Sequence, residues 1–198
     1  MKLLIVGDSF AADWSVKYPR VFGWPNLLSN NHDVTNLAQA GVGEYKILKQ
    51  LMSADLNLYD IVIVVHTSPY RVTTRRHPVH SGSALHGNAD LLFKDIEYHA
   101  AWHKRLINHS LRSAYEWFKY HFDTEYQETV YSLIVEKINT ILKDKKIITV
   151  VTPLCSLDIQ HVLKIQNIDD SGPNHMSINN NIDFYKELLL KINEFKQP

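Results

Sequence analysis

Three short, unbroken apolar runs constrain this chain more than any other feature: Leu3-Leu4-Ile5-Val6, Ile61-Val62-Ile63-Val64-Val65 and Ile147-Ile148-Thr149-Val150-Val151. Each is too short for a buried helix, and its branched side chains favour a strand. A strand with one wet face alternates apolar and polar residues. These runs do not alternate, so both faces must be covered, as in a parallel sheet between two layers of helices. Asp33 to Ala38 is a weaker fourth run.

Helical patterns separate the runs, and strand alternating with helix is the arrangement that builds a parallel sheet. The candidates are Trp24 to Asn30 with the helix-compatible Pro25, Glu44 to Met52, about Asp95 to Tyr120, Asp123 to Lys143, and a last helix from Ile182 to Phe195. Within the fourth, Tyr126, Val130, Leu133, Ile134, Ile138, Ile141 and Leu142 recur at three- and four-residue intervals, which predicts one core-facing stripe. The aromatic residues around Trp102, Leu106, Tyr115, Trp117, Phe118 and Phe122 are expected to pack a helix against the sheet rather than to stack substrate. With 198 residues and 45% hydrophobic content, the chain suits one compact domain spanning 1–198.

The charge balance excludes several partners. Lysine plus arginine and aspartate plus glutamate both number 21, so no basic field exists to attract nucleic acid or an anionic membrane. The single Cys155 can form neither an internal disulfide nor a multi-thiolate metal site, and the Leu3–Val6 run is too short for a signal peptide or a membrane span. A cytoplasmic protein is the expectation. One segment breaks the pattern: Val72 to Asp90, with Arg75, Arg76, His77, Pro78, His80, Gly82, His86 and Gly87, is polar and aperiodic, and a lid is its expected role. The Arg75-Arg76 pair is expected to be a solvated loop tip.

The chemistry is expected at Gly7-Asp8-Ser9-Phe10, directly after the first apolar run, because sites in open parallel sheets form beyond the carboxyl ends of the strands. A serine hydroxyl needs a neighbouring base to act as a nucleophile. On this motif alone an ordinary turn, in which Asp8 or Ser9 caps the next helix, is an equal alternative. Two further blocks follow in order: Asn36-Leu37-Ala38-Gln39-Ala40-Gly41 after the weak run, and Asp169-Asp170-Ser171-Gly172-Pro173-Asn174-His175-Met176-Ser177 before the last helix.

In this order the blocks resemble those of the SGNH hydrolases, also called the GDSL esterase/lipase family. The resemblance spans nearly the whole chain, on few matched residues. It implies a three-layer α/β/α sandwich with a mostly parallel, flavodoxin-like sheet. It also implies Ser9 as nucleophile, His175 as general base, and the backbone N–H groups of Ser9 and Gly41 as oxyanion-hole donors. Asp8 belongs to the family's first block without being its catalytic carboxylate, and is expected to brace the turn. The implied reaction is hydrolysis of a small ester, such as an acyl or acetyl group on a carbohydrate, with no cofactor. The expected partner is a small-molecule ester, with neither nucleic acid nor membrane, and the oligomeric state is left open. A lipase is disfavoured by the lack of a long apolar access surface.

Two positions depart from the family. Where it has an oxyanion asparagine this chain has Ser68, in His66-Thr67-Ser68-Pro69-Tyr70-Arg71, so the Ser68 hydroxyl with help from Arg71 is the expected replacement, Arg71 alternatively binding substrate. Asn88 is a lesser candidate. Where the family has its aspartate, three residues before the histidine, this chain has Gly172. Asp170 is preferred to Asp169 as the third triad member because it is nearer His175, and a Ser9–His175 dyad oriented by a backbone carbonyl is the variant. These departures keep alive a binding or regulatory protein with weak catalysis, and an acyltransferase. Among the 11 histidines, His77, His80 and His86 share the long loop, and His99 and His103 lie one helical turn apart. Ala100 stands where a His-Glu-x-x-His motif has glutamate, and no cysteine or acidic cluster is evident nearby, so no metal is expected.

Overall fold

The computed structural model describes residues 1–101, 108–155, 162–166, 168–169 and 172–196. Five parallel strands form one sheet in the order β2-β1-β3-β4-β5. They are β1 (Lys2–Val6), β2 (Asp33–Asn36), β3 (Ile61–His66), β4 (Ile147–Val151) and β5 (Leu163–Lys164). The helices are α1 (Trp24–Leu28), α2 (Glu44–Met52), α3 (Phe93–Ala101), α4 (His109–His121), α5 (Thr124–Leu142) and α6 (Ile178–Glu194). The strand order is the flavodoxin-like one, which reverses direction of winding between β1 and β3 and opens a crevice there.

The unbroken apolar runs divide by parity. Leu3, Ile5, Ile61, Ile63 and Val65 face Trp24 and Leu28 of α1 and Phe184, Leu188 and Ile192 of α6. Leu4, Val6, Val62 and Val64 face Ile47 and Leu51 of α2 and Ile138 and Leu142 of α5. Successive side chains of a strand point to opposite faces, so two half-cores exist because every position of Leu3–Val6 and of Ile61–Val65 is apolar. Each large aliphatic side chain fully buried this way contributes about 1.5–3 kcal/mol.

Several expectations change. The long helix expected from about Asp95 to Tyr120 is two helices: α3 ends at Ala101, and α4 starts afresh with the Asn108 side chain accepting the Leu111 N–H at 3.0 Å as its N-cap. Trp102, His103 and Leu106 fall outside the described residues. The pair does not lie on the sheet but packs together, with Ile96, Leu111 and Phe118 forming a separate small core under Val72, Val79 and Leu91. In α5 the buried stripe is Tyr131, Val135, Ile138 and Leu142, whereas Tyr126 and Leu133 are exposed. The predicted stripe was too wide, because isoleucine, leucine and tyrosine recur on the flank that faces solvent as well. β5 escaped notice because two residues carry no pattern.

The segment 72–90 is not loose. Val72 and Leu91 close it with a pair of backbone hydrogen bonds, each N–H donating to the other's carbonyl at 2.8 and 2.9 Å. Buried Asp90 accepts the Gly43 and Thr74 N–H groups at 2.7 and 2.9 Å and pairs with Lys46 at 2.7 Å, which in turn donates to the carbonyls of Thr74 and Asn88. The expected lid is thus a closed loop stitched to the N-terminal turn of α2. Arg75 and Arg76 sit exposed on it.

Candidate functional site

β1 delivers Asp8 and Ser9 to the crevice beside β3. The carbonyl of Asp8 accepts the N–H groups of Ala11 and Ala12, both at 3.0 Å, while its side-chain Oδ1 accepts the Phe10 N–H at 3.0 Å. Asp8 therefore braces the turn that presents Ser9. Its other oxygen accepts the Thr67 hydroxyl at 2.6 Å, joining the ends of β1 and β3. Burial pushes the Asp8 carboxyl above its ordinary range, against the pull of the Arg71 charge and of the Thr67 and Phe10 hydrogen bonds. Gly7 is held by the Gln50 amide, whose Oε1 accepts its N–H at 2.8 Å and whose Nε2 donates to its carbonyl at 3.1 Å. A Cβ on Gly7 would come within 2.7 Å of Val65 Cβ.

The C-terminal block reaches the same turn. Asn174 and His175 both adopt left-handed backbone angles, with φ of 56° and 54°. Fully buried Asn174 donates from Nδ2 to the carbonyls of Ser9 at 3.2 Å and Ala12 at 2.9 Å. The next residue, His175, lays its ring 4.9 Å from Phe10 and edge-on to Trp14 at 5.5 Å, and Trp14 in turn donates its indole N–H to the Ser9 carbonyl. Asp169 donates its N–H to the His175 carbonyl at 2.7 Å, so the acidic loop folds back on the histidine turn. Asp170, the preferred acid, lies outside the described residues.

Gly41 arrives through the extension of β2: Leu37 and Gln39 donate to the carbonyls of Ile5 and Gly7, and Ala40 packs against Ala12. Its φ of +79° suits only glycine without strain, and a Cβ there would meet Ala89 Cβ at 2.7 Å. Arg71 donates from Nη1 to the Gly41 carbonyl at 3.1 Å. Ser68 is buried at the end of β3, where its Oγ accepts the Tyr70 N–H at 3.2 Å; a hydroxyl used as acceptor keeps its own proton for a second bond. Asn88 is exposed and bonded to Gln39. Beside Ser68 opens an apolar cavity of about 370 Å³ lined by Tyr70, Leu92, Phe93, Phe118 and Phe122. Its lining comes from separate segments of the chain, so no long apolar stretch of sequence announces it.

Below the crevice lies a dry polar layer that sequence reasoning missed. His66 Nδ1 donates to Glu44 Oε1 at 2.6 Å, both side chains being almost wholly buried, and Glu44 Oε2 accepts the Thr67 N–H at 3.3 Å. Tyr131 donates to the Thr67 carbonyl at 3.0 Å and touches Cys155 Sγ at 3.2 Å, and burial pushes its phenol far above the ordinary value. A polar residue closing an apolar run, as His66 closes β3, was the available signal. Its partner, 22 positions away, was not legible. His86 stands between Trp14 and His80, and burial lowers its pKa to about 4, keeping it neutral beside the site.

No protein-family model matches the chain, and no curated protein matches it. Among the described residues no helix is long and apolar enough to cross a membrane. Solved structures similar to it include the following three. Phospholipase A1 from Streptomyces albidoflavus NA297 aligns with 98% of this chain and 74% of its own, at 11% identity and a TM-score of 0.38. The extracellular lipase from Streptomyces rimosus aligns with 99% and 74%, at 10% identity and 0.37. A possible lipase from Chitinophaga pinensis DSM 2588 aligns with 97% and 65%, at 12% identity and 0.33.

Proposed function

We propose that the protein is a serine hydrolase that cleaves small carboxylic esters, with Ser9 as nucleophile and His175 as general base. The observation that carries this reading is the Asn174 amide bonded to the Ser9 carbonyl, which pins the histidine turn onto the serine turn across 165 positions. In the proposed cycle His175 takes the Ser9 proton as Oγ attacks the ester carbonyl. The oxyanion that forms is met by the N–H groups of Ser9 and Gly41 and by the Ser68 hydroxyl. His175 then returns the proton to the leaving alcohol, and water, activated in the same way, releases the acid. Asp169 or Asp170 orients the imidazole, Arg71 contributes charge near the carbonyl oxygen or meets the substrate, and the acyl group extends from Ser68 into the apolar cavity.

A weak catalyst or binding protein is favoured instead by one detail: Arg71 Nη1 already donates to the Gly41 carbonyl. A missing hole donor costs about 100- to 1000-fold in rate, so Ser68→Ala separates the readings by lowering kcat rather than raising KM if the hydroxyl is a donor. The primary test is labelling with a fluorophosphonate. Adduct on Ser9, absent from Ser9→Ala, supports the hydrolase; no adduct, or one that persists in Ser9→Ala, removes Ser9 from the mechanism.

A further inference from the structure

The connection from β3 to β4 carries more chain than the sheet uses. Of its helices, α5 covers the sheet with Ile138 and Leu142, whereas α3 and α4 close a small core of their own around Ile96, Leu111 and Phe118. Among the described residues, that hairpin contributes no side chain to either half-core of the sheet. What it does present is a face toward the end of β3, where Phe93, Phe118 and Phe122 meet Tyr70 and bound the apolar cavity of about 370 Å³ beside Ser68.

The wall is a connected set of rings. Phe93 lies 5.6 Å from Phe118, Phe118 lies 5.2 Å from Phe122, and Phe122 lies 6.4 Å from Tyr70, all tilted or edge-on as aromatic groups prefer. Tyr70 donates its hydroxyl to Glu128, which is not part of the lining, at 2.5 Å, so the polar atom of this ring is already engaged. Lys94 is the one charged side chain of the lining and is exposed to solvent. Tyr70, Phe93 and Leu154 are still 36%, 37% and 39% exposed. Apolar side chains left open together in one concavity are suited to an apolar ligand that covers them.

The cavity adjoins the serine turn. β1 and β3 are paired with Val6 beside Val64, the Thr67 hydroxyl donates to Asp8 at 2.6 Å, and the next residue on each segment is Ser68 and Ser9. Ser68, which lines the cavity, therefore stands on the segment next to Ser9. On the reading of Ser9 as nucleophile, we propose that this cavity is the acyl subsite, and that through it the protein selects esters of unbranched medium-chain carboxylic acids over acetyl esters. A methylene takes about the volume of a water molecule, roughly 30 Å³, so the 370 Å³ cavity holds about a dozen such groups. Because part of that space is open to solvent, the chain that fills it has about six to ten carbons. A hydrocarbon chain brings no polar atom that this lining would leave unpaired, whereas a sugar or a charged group would. Phe122, in contact with both Phe118 and Tyr70, is the central ring of the wall and a determinant of chain length.

The test measures kcat/KM of the full chain for p-nitrophenyl esters from acetate to dodecanoate. Burying one methylene is worth about fourfold, so with partial burial a rise of at least about 100-fold from acetate to octanoate is expected, with no further gain at dodecanoate, whose last carbons leave the cavity. Leu154→Trp, at a partly exposed position of the lining, should move the best substrate to a shorter chain, and Phe122→Ala should move it to a longer one. A wild-type profile that is flat or favours acetate overturns the proposal without any variant having to fold, and so does an optimum that neither variant shifts. Fluorophosphonate labelling separates this outcome from failure of the hydrolase reading itself: if Ser9 labels and chain length has no effect, only the acyl subsite is lost, whereas if Ser9 does not label, both fall.

Discussion

Among the described residues, two carboxylate–imidazole assemblies are built to opposite specifications. At Glu44–His66 one carboxylate meets one imidazole in a dry layer under the crevice, with the second carboxylate oxygen used by the Thr67 N–H. At Asp95 one carboxylate meets three imidazoles at the edge of the solvent. The first is closed, both carboxylate oxygens having a fixed partner, as burial demands. The second gathers three imidazoles on one carboxylate, with His80, His99 and Asp95 partly exposed. A closed pair positions backbone; a partly exposed one can exchange its partners with solvent.

The strongest way to break this comparison is to remove Glu44. Glu44→Ala strands His66 and the Thr67 N–H in the core and should cost about 3–5 kcal/mol, read from urea unfolding, with Glu44→Gln costing clearly less. A loss under about 1 kcal/mol would mean water enters and the layer is not dry. Next, Asp90→Ala frees the Gly43 and Thr74 N–H groups and Lys46 together, and should cost about 2–3 kcal/mol while exposing Arg75–Arg76 to faster tryptic cleavage. Unchanged cleavage would show that the Val72–Leu91 bridge alone holds the loop. By contrast Asp95→Asn should cost under about 1 kcal/mol, because the amide oxygen still faces buried His77 while the partly exposed His80 and His99 can turn to water.

The smallest effect concerns Asp8. Its carboxyl is raised in the folded protein, so as pH climbs through the carboxylate range the unfolded chain ionises first and the native state pays for holding the charge. Asp8→Asn should therefore gain stability relative to wild type as pH rises from about 3.5 to 7, the gain levelling off once Asp8 is ionised in the native state. A constant difference in Tm across that range would show that the Phe10, Thr67 and Arg71 interactions cancel the burial cost.

How legible the molecule was in its sequence varied with the distance over which each feature is decided. The apolar runs at 3–6, 61–65 and 147–151 determined a parallel sheet covered on both faces, because a strand with no polar position has no face to offer water. Gly7-Asp8-Ser9 after the first run, and Asn174-His175 before α6, marked the two turns that meet. Asp95 and His99 also stood four apart in one helix, a spacing that was readable but passed over in favour of His99 and His103. Only the tertiary structure decided the rest. Glu44 finds His66, Asn174 finds Ser9 and His80 finds Asp95 because helices and loops far apart in sequence are carried to one edge by the sheet, and no local periodicity encodes that. The start of α4 is marked by one capping side chain, Asn108, within a run whose apolar spacing continues as though a single helix did. Pattern reports which face is buried; which groups meet there depends on the packing of the whole chain.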